Sequence, residues 1–412
     1  MAKLTLNSIP NSVFSANASE LADNSLARAN FVSAGRLLAY EYAKKGANAL
    51  RTASKMAGEN YEPMLSQEQY RTLNEKFQAE HLLYAAKLAC AQTGVKAPES
   101  FEELKRQSAN FRNNEAFYRV LAGVWQEVLS PILPTTYSEA VSTFAEVYEV
   151  GFNETQEITI DSNDIPIFQD ASWGAIRSTP RNRFYARSYT LNPQPKVAKI
   201  AAKWSQLINT GFDFGRYFAN VTAGMYAKTM GMWNAAMTAA ASDTSLIPSG
   251  LTQTFNATNW VALANKIATV NGTTIDNVVA YGGAVALSKV LPLQTTGSTN
   301  VNMDAALATL LGADYIRSGQ LGEYMNVRLQ QLTDAVVPGT QNSTIDTILP
   351  TDTIWMMASN GHRPLAIAYN RDTPLTLEVD PMKAGDMEVQ MVVTIALDTV
   401  AIFGSKVGLI TI

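Results

Sequence analysis

The chain has 412 residues, of which 47% are hydrophobic and 17% charged, as expected for a folded protein with a core and room for two or more domains. Its formal net charge of -4 argues against a nucleic-acid reader whose affinity comes from neutralising phosphates. One cysteine rules out an internal disulfide, and two histidines leave few groups for metal or acid–base chemistry. The N-terminal residues show no signal-peptide pattern, so we expect synthesis in the cytoplasm.

The N-terminal third of the chain has a helical pattern. We divide it into a tail over residues 1–17 and a helical region over residues 18–130. Ser66 followed three residues later by Gln69 predicts a capping box at the start of one helix, and Gly94 predicts its end.

Two residues of this helix could carry chemistry. We expect His81 to lie on the helix surface, because no second His or Cys stands at metal-binding spacing. We expect Cys90 to be a small buried hydrophobe, since no neighbouring His or Arg would lower the pKa of its thiol. Neither residue is predicted to form a site.

The segment that follows alternates as β-strands do, with strand-like stretches on both sides of a polar tip. Its charges are divided along the sequence. The acidic residues come first, without a Lys or Arg among them: Glu146, Glu149, Glu154, Glu157, Asp161, Asp164 and Asp170. The basic residues follow, without an acid among them: Arg177, Arg181, Arg183, Arg187, Lys196, Lys199 and Lys203.

This pattern predicts a β-hairpin with one acidic and one basic arm. In the simplest interpretation the arms pair their charges across the ladder, each pair contributing about 0.2 to 1 kcal/mol. A two-stranded ribbon is marginally stable alone in water, however. Another surface is therefore expected to cover it.

The stretch "DFGRYFANVTAGMYAKTMGMWNAAMTAAA", which begins at Asp213, predicts one long helix, because its apolar residues recur at helical spacing. Lys228 divides it into uncharged pieces shorter than the roughly 18 residues that a membrane span requires. Asn220 and Asn234 are also unfavourable in a bilayer. We therefore expect a buried or half-buried helix of about 43 Å, at about 1.5 Å per residue.

The rest of the chain first alternates between helix and strand and then becomes rich in strands. Asn259 is predicted to cap the helix that follows it, and "DNVVAY" to be a buried strand. In the C-terminal part, Asn360-Gly361 predicts a tight hairpin turn. The apolar run Val389–Ala396 predicts a strand buried on both faces. No serine, histidine and aspartate follow the order of a hydrolase with a nucleophile elbow.

An acidic-then-basic hairpin, a long helix, an α/β unit and a β-rich tail follow one another here. This order resembles the Hong Kong 97 type major capsid protein of tailed phages over roughly the last 280 residues, on architecture and not on an invariant motif. The resemblance implies an α+β fold, the phage major capsid fold, preceded by an N-terminal helical region. It implies an extended loop over 140–200, a spine helix over 204–241, a peripheral domain over 242–274 and 351–412, and an axial domain over 275–350.

The resemblance also implies a function. The chain would be a structural protein that self-assembles through hexamers and pentamers into an icosahedral shell enclosing the phage double-stranded DNA. Its partners would be itself, the portal, and scaffold or decoration proteins, with no membrane, and it would be found in the virion after synthesis in the host cytoplasm.

No catalytic, cofactor-binding or metal site is expected. The hairpin would lie on a neighbouring subunit, and its candidate intersubunit contacts are Glu146, Glu149, Glu154, Glu157, Arg177, Arg181, Arg183 and Arg187. Two alternatives stay open, an encapsulin-like compartment that holds cargo enzymes and an unrelated oligomeric enzyme. We also expect the N-terminal helices to persist in the finished shell and not to be discarded as a scaffold.

Overall fold

The computed structural model describes residues 25–46, 66–129, 145–160, 186–209, 212–244, 246–290, 321–340, 342–359, 363–370, 376–380, 388–402 and 406–412. The α-helices in these ranges are α1 (Ser25–Gly46), α2 (Gln67–Thr93), α3 (Phe101–Arg106), α4 (Ser108–Phe111), α5 (Glu115–Leu129), α6 (Trp204–Ile208), α7 (Phe214–Ser242), α8 (Ala257–Val270) and α9 (Ala284–Ser288). The strands are β1 (Ala145–Val150), β2 (Gln156–Ile160), β3 (Arg187–Leu191), β4 (Gln194–Lys203), β5 (Thr252–Thr254), β6 (Val278–Gly282), β7 (Glu323–Tyr324), β8 (Val327–Gln331), β9 (Thr353–Ala358), β10 (Leu365–Asn370), β11 (Thr376–Asp380), β12 (Glu388–Ala401) and β13 (Gly408–Thr411).

The chain divides into two compact units, each built from separate stretches of sequence. The first unit comprises Met1–Ser142, Pro193–Lys228 and Tyr369–Leu397. The second comprises Thr143–Asn192, Thr229–Ala368 and Asp398–Ile412. Both the long helix α7 and the strand β12 contribute residues to each unit.

In the first unit, α1, α2 and α5 pack against one another. The Ser66 side chain accepts a hydrogen bond from the Gln69 N–H, the Gln69 side chain accepts one from the Ser66 N–H, and Gly94 ends α2 at φ 70°. The capping box and stop predicted from the sequence are thus confirmed. Residues 81–86 are buried on every side of α2, so the middle of this helix lies in the interior of the unit, whereas its ends are exposed.

In the first unit, β4 and β11 each pair antiparallel with β12. Residues Gln194–Lys203 of β4 pair with Leu397–Glu388, and β11 pairs with residues 390–394 of the same strand. Along Val389–Ala396, buried residues alternate with half-buried ones. The prediction of a strand buried on both faces is therefore wrong: only one face is fully covered, and the half-buried face includes Gln390 and Thr394.

The second unit contains a six-stranded sheet in the order β5-β13-β9-β6-β8-β7. The pairs β5–β13 and β6–β8 are parallel, and the other pairs are antiparallel. All five residues of β6 are buried, as predicted for "DNVVAY". Helix α8 packs on this sheet through an apolar face with helical spacing: Trp260, Leu263, Ala264, Ile267 and Ala268.

The N-cap of α8 differs from the sequence prediction. Asn256 is the cap, and its side-chain oxygen accepts the N–H of Asn259 at 2.7 Å. Asn259 lies one turn inside the helix, where its side chain donates to the Thr254 carbonyl. Asparagine is a favourable N-cap residue at either position. The backbone of Asn256 is extended and the helix begins at the next residue, so Asn256 is the cap.

The predicted hairpin is present as the antiparallel pair β2–β3 in the second unit. One face packs on a small apolar cluster: Val150, Leu191, Ala366, Ala368 and Ile402, with Ile158, Ile160 and Tyr189 at its margin. The tip of the hairpin, the "MDAALATLLG" segment, the Asn360-Gly361 turn and His362 lie outside the described residues.

The range 204–241 contains two helices. The short α6 ends at Asn209, whose backbone is extended at φ -88° and ψ 150°. The long helix α7 begins at Phe214 because the Asp213 side chain caps it. A spine helix starting at residue 204 is therefore wrong, whereas the end near residue 241 is close to the observed Ser242. Among the described residues no helix is both long and apolar enough to cross a bilayer.

Candidate functional site

The eight candidate contact residues are only partly described. Arg177, Arg181 and Arg183 lie outside the described residues. The other five lie on β1 (Glu146 and Glu149), in the turn after it (Glu154), on β2 (Glu157) and at the start of β3 (Arg187). Of these five, Glu146 is half-buried and the rest are exposed.

Two of the carboxylates make local bonds. The Tyr148 hydroxyl donates to Glu146 at 2.6 Å, and burial together with this bond raises the pKa of Tyr148 to about 12. The Glu154 carboxylate accepts the Gly151 N–H at 3.2 Å and closes the turn between β1 and β2. These bonds orient the Glu146 and Glu154 side chains.

The register of β2–β3 does not pair acid with base where the ladder is described. Glu157 lies opposite Thr190, and Arg187 lies opposite Ile160. On the exposed face Thr159 stands opposite Ser188, so the cross-strand neighbours of the charges are neutral. Cross-strand ion pairs therefore do not stabilise this part of the hairpin.

A second polar arrangement joins α2 to the start of α7 within the first unit. The Tyr70 hydroxyl donates to the Asp213 carboxylate at 2.5 Å, and the same oxygen accepts the Arg216 N–H at 3.0 Å. Burial, and then the bond to Asp213, raise the pKa of Tyr70. The capping carboxylate of α7 is thus held by a side chain of α2.

Two amides one turn apart on α2 bind the connection between α6 and α7. Asn74 donates to the Phe212 carbonyl and accepts the Phe214 N–H, both at 3.0 Å. Gln78, which is fully buried, donates to the carbonyls of Leu207 at 2.7 Å and Asn209 at 2.9 Å. Because these groups lie at a helix end and in a turn, they have no partner within their own helix.

Helix α1 approaches α7 closely at a glycine. A β-carbon on Gly215 would stand 2.7 Å from the Leu38 carbonyl oxygen and closer still to the Tyr70 hydroxyl. One turn later, Ala219 packs against Tyr42 of α1. Small residues at this position allow the two helix backbones to come together.

His81 is 1% exposed, so the prediction of a helix-surface residue is wrong. Its ring stacks on Phe77 with centroids 4.6 Å apart and meets Phe214 of α7 edge-on at 4.7 Å. One ring nitrogen lies 2.6 Å from the Phe77 carbonyl, and the other accepts the Trp125 N–H at 3.4 Å. Burial lowers the pKa of His81 to about 4, so the imidazole is neutral.

The polar contacts between α2 and the start of α7 hold these two helices together. The buried polar groups of this junction bond backbone atoms or a helix cap, and Cys90, buried as predicted, has a thiol whose pKa burial raises. An open cleft of about 580 Å³ beside it is lined by Gln67, Glu68, Tyr70, Arg71, Asn74, Glu75, Phe212 and Asp213. Tyr70, Asn74 and Gln78 were not predicted from the sequence as contact residues. Their spacing of four residues, on a helix with buried neighbours, was the available signal.

Comparisons with known proteins support one family. A family model described as "SPbeta prophage-derived putative capsid protein YonB" matches residues 94–411. This match covers 318 of the 412 residues, more than the roughly 280 expected from the resemblance. Helices α1 and α2 precede the match. No curated protein matches the chain.

Several solved phage structures are similar to the chain at low identity. The capsid of cyanophage P-SCSP1u is 11% identical, over 65% of this chain and 86% of that one, with a TM-score of 0.41. A chain of the head structure of Helicobacter pylori bacteriophage KHP40 is 10% identical, over 65% of this chain and 86% of that one, with a TM-score of 0.40. Mycobacterium phage Che8 is 14% identical over 63% and 85%, with a TM-score of 0.35.

The family match covers the candidate contacts, the long helix α7 and the sheets of both units. It confirms the phage capsid resemblance drawn from the sequence, and the observed elements confirm the α+β class with a long helix and a hairpin. The division into peripheral and axial domains stays a prediction. The chain belongs to the YonB family of prophage-derived capsid proteins and is a protein of the virion shell.

Proposed function

We propose that this capsid protein is the major subunit of a closed icosahedral shell, which it builds through hexamers and pentamers around double-stranded DNA. The observation that carries the proposal is the family match over residues 94–411. The hairpin supports it: β2–β3 is a separate two-stranded sheet, and neither strand pairs with another described strand. One face of this ribbon packs on its own subunit, and the other face, with Glu157, Thr159, Ser188 and Thr190, is exposed. A neighbouring subunit that covers the exposed face would stabilise the ribbon.

The test is assembly of the purified protein. Negative-stain microscopy should show closed hollow particles, either from the protein alone or together with its scaffold and portal partners. A monodisperse monomer under all these conditions, with a ribbon that already resists protease, would refute the proposal. Nuclease-protected double-stranded DNA in particles from a lysate would distinguish a genome container from an enzyme-filled compartment. We place synthesis in the host cytoplasm and the finished protein in the virion.

We also propose that the N-terminal helices stay in the finished shell. Although α1 and α2 precede the family match, α2 supplies the amides that bind the connection before α7. It also supplies Phe77 and His81, which cover Phe214. Removing α2 would leave these aromatic and backbone groups exposed or without partners, at a cost of several kcal/mol.

Mass spectrometry of subunits from purified particles tests this second proposal. The expected mass is that of a chain that includes α1 and α2. A particle subunit lacking about the first hundred residues would contradict retention while leaving the capsid function intact.

We further propose that the charged hairpin contacts a neighbouring subunit through the eight residues named from the sequence. The support is the register, in which Glu157 faces Thr190 and Arg187 faces Ile160 within their own hairpin. The charges of these two residues are therefore not paired directly across this ladder.

A further inference from the structure

The connection between α6 and α7 is a bend whose backbone is bonded by side chains of another helix. Helix α6 ends before Asn209, where the backbone is extended, and α7 begins at Phe214. Carbonyl and N–H groups at helix ends and in turns have no partner within their own helix. Asn74 and Gln78 of α2 bond three such carbonyls and one such N–H group here. The connection is therefore held in the conformation that α2 imposes on it.

Helix α2 is also tied to the sheet that leads into this connection. Strand β4 continues directly into α6, and all ten of its residues pair with β12, which also pairs with β11. Helix α5 packs on β11, and α2 packs on α5. The paired part of β12 and the start of α7 belong, with these elements, to the first unit. The sheet and α7 are thus joined by two routes, the connection itself and the helices α5 and α2. The two amides fasten these routes to each other.

A small turn at the connection would move the sheet a long way. Strand β4 has ten residues and is about 33 Å long at about 3.3 Å per residue. Over that length, a turn of about 10° would move its far end by about 6 Å. In a closed shell the same subunit contact recurs around every symmetry axis, so the displacement would recur with it. Assembly therefore depends on the angle between β4 and α7.

Gln78 contributes direction more than stability at its interior position. Its side chain is fully buried, and its amide nitrogen donates to the Leu207 and Asn209 carbonyls at 2.7 and 2.9 Å. Its amide oxygen is buried too, with no hydrogen-bond partner in the part of the chain that the structure describes. A buried acceptor without a partner costs stability and offsets part of what the two donated bonds contribute. The effect that remains is that one amide group fixes the positions of two carbonyls.

We propose that Gln78 is a positioning residue for shell assembly. By holding the connection, it sets the angle between β4 and α7 at which subunits close into shells of one size. This inference rests on the proposed shell assembly and adds a determinant of particle size. Gln78 precedes the family match, so this determinant lies in a part of the chain outside the matched capsid region.

The test is the full-length Gln78→Leu variant, which keeps the approximate size of the side chain and removes both donated bonds. Purified subunits should keep the circular dichroism spectrum of the wild type. Hydrogen exchange over residues 207–216 should be at least about tenfold faster, because this segment loses its attachment to α2. Where the wild type assembles, the variant should give at least about tenfold fewer shells of wild-type diameter, with open or irregular particles in their place.

Val128→Ala is the control for a subunit that is destabilised but keeps the bonds of Gln78. Val128 is fully buried in α5 beside Gly35 of α1, and its apolar side chain cannot bond the connection. Truncation leaves a cavity and should lower the urea midpoint. At a temperature at which circular dichroism shows both variants folded, this control should form shells of wild-type diameter. Asn74→Ala removes the bonds to Phe212 and Phe214 and replaces Gln78→Leu if that variant does not fold.

Four results would overturn the inference. In the first, Gln78→Leu, or Asn74→Ala in its place, is folded and forms shells of wild-type diameter and yield. In the second, Val128→Ala loses control of particle size in the same way, which would assign the defect to lost stability. In the third, Gln78→Leu forms irregular particles although exchange over residues 207–216 is as slow as in the wild type. In the fourth, neither Gln78→Leu nor Asn74→Ala folds, which would leave these residues with a structural role only.

The proposed function survives all four results, because the wild type still forms shells in each of them. Failure of the wild type itself to assemble would instead reject the proposed function, and this inference with it.

Discussion

Tyr70 of α2 donates a hydrogen bond to Asp213, the residue that caps the long helix α7, over 2.5 Å. The helix that precedes the family match therefore fixes the start of the longest helix within it. This relationship makes the first turn of α7 dependent on α2.

Tyr70→Phe tests that dependence. The change removes a hydrogen bond to a charged acceptor while keeping the ring, so we expect a loss of about 1.5 to 3 kcal/mol in the free energy of unfolding. The measurement is the urea midpoint, followed by circular dichroism. Tyr217→Phe is the matched control, since the Tyr217 hydroxyl is buried without a hydrogen-bond partner among the described residues. Its removal should be neutral or stabilising. Equal losses in the free energy of unfolding of both variants would show that the hydrogen bond to Asp213 adds no stability of its own.

Gly215→Ala should destabilise the contact between α1 and α7. The added β-carbon would stand 2.7 Å from the Leu38 carbonyl oxygen, which is backbone and cannot rotate away. We expect a loss of about 1 to 3 kcal/mol, measured as a lower melting temperature. Gly224→Ala, in the same helix, has no atom within 4 Å of the new carbon and should instead stabilise by up to about 1 kcal/mol. The opposite signs distinguish close packing from helix propensity, and a stabilising Gly215→Ala would contradict the described contact.

The buried His81 makes the first unit sensitive to acid. The unfolded imidazole binds a proton below about pH 6.5. The folded one does so only near its pKa of about 4, which burial has lowered. Stability is therefore fully present above pH 6.5 and is lost as the pH falls towards 4, by at most about 3 kcal/mol.

The measurement compares urea midpoints of the wild type and His81→Phe at several pH values between 7.5 and 4.5. The phenylalanine variant keeps an aromatic ring beside Phe77 and Phe214 but cannot titrate. The difference in stability between the two proteins should shift in favour of the variant as the pH falls. Parallel pH profiles would show that His81 titrates normally and is not buried as described.

Arg183→Glu/Arg187→Glu tests the hairpin as an assembly element. Exposed ion pairs contribute roughly 0 to 1 kcal/mol each, so the separate subunit should keep its circular dichroism spectrum and melting behaviour. Shell formation should fail, because each reversed contact recurs at every symmetry-related interface. Arg106→Glu/Arg119→Glu gives the same change of charge on exposed helix positions and should assemble. A normal yield of particles from the hairpin variant would leave the arginines with no intersubunit role.

Local signals predicted local structure well. The capping box of Ser66 and Gln69 and the end of α2 at Gly94 depend on residues within one turn of each other, and both are present. The buried strand β6 and the long helix α7 also follow from a sustained pattern. These features need no knowledge of what packs against them.

Burial that depends on distant residues was not predictable in the same way. His81 is interior because Trp125 and Phe214, far away in the sequence, lie against its ring. Nothing in the sequence around His81 indicates this. The start of α7 was misplaced for a related reason, since Asp213 is held by α2 and the connection before it by Gln78. The candidate contacts were found by their charge pattern, whereas the role of Gln78 follows only from its observed bonds to that connection.

Helix α2 ends directly before the family match, which matters for choosing where an expressed fragment should begin. The family match begins at residue 94, yet Phe77, before that boundary, lies with its ring centroid 5.4 Å from that of Phe214, after it. The matched stretch and the packed unit therefore have different boundaries. A fragment that begins at residue 94 would contain α7 but would lack Phe77 and His81, which pack against it. If such a fragment were insoluble, the cause would be the choice of boundary and not a property of the whole capsid protein.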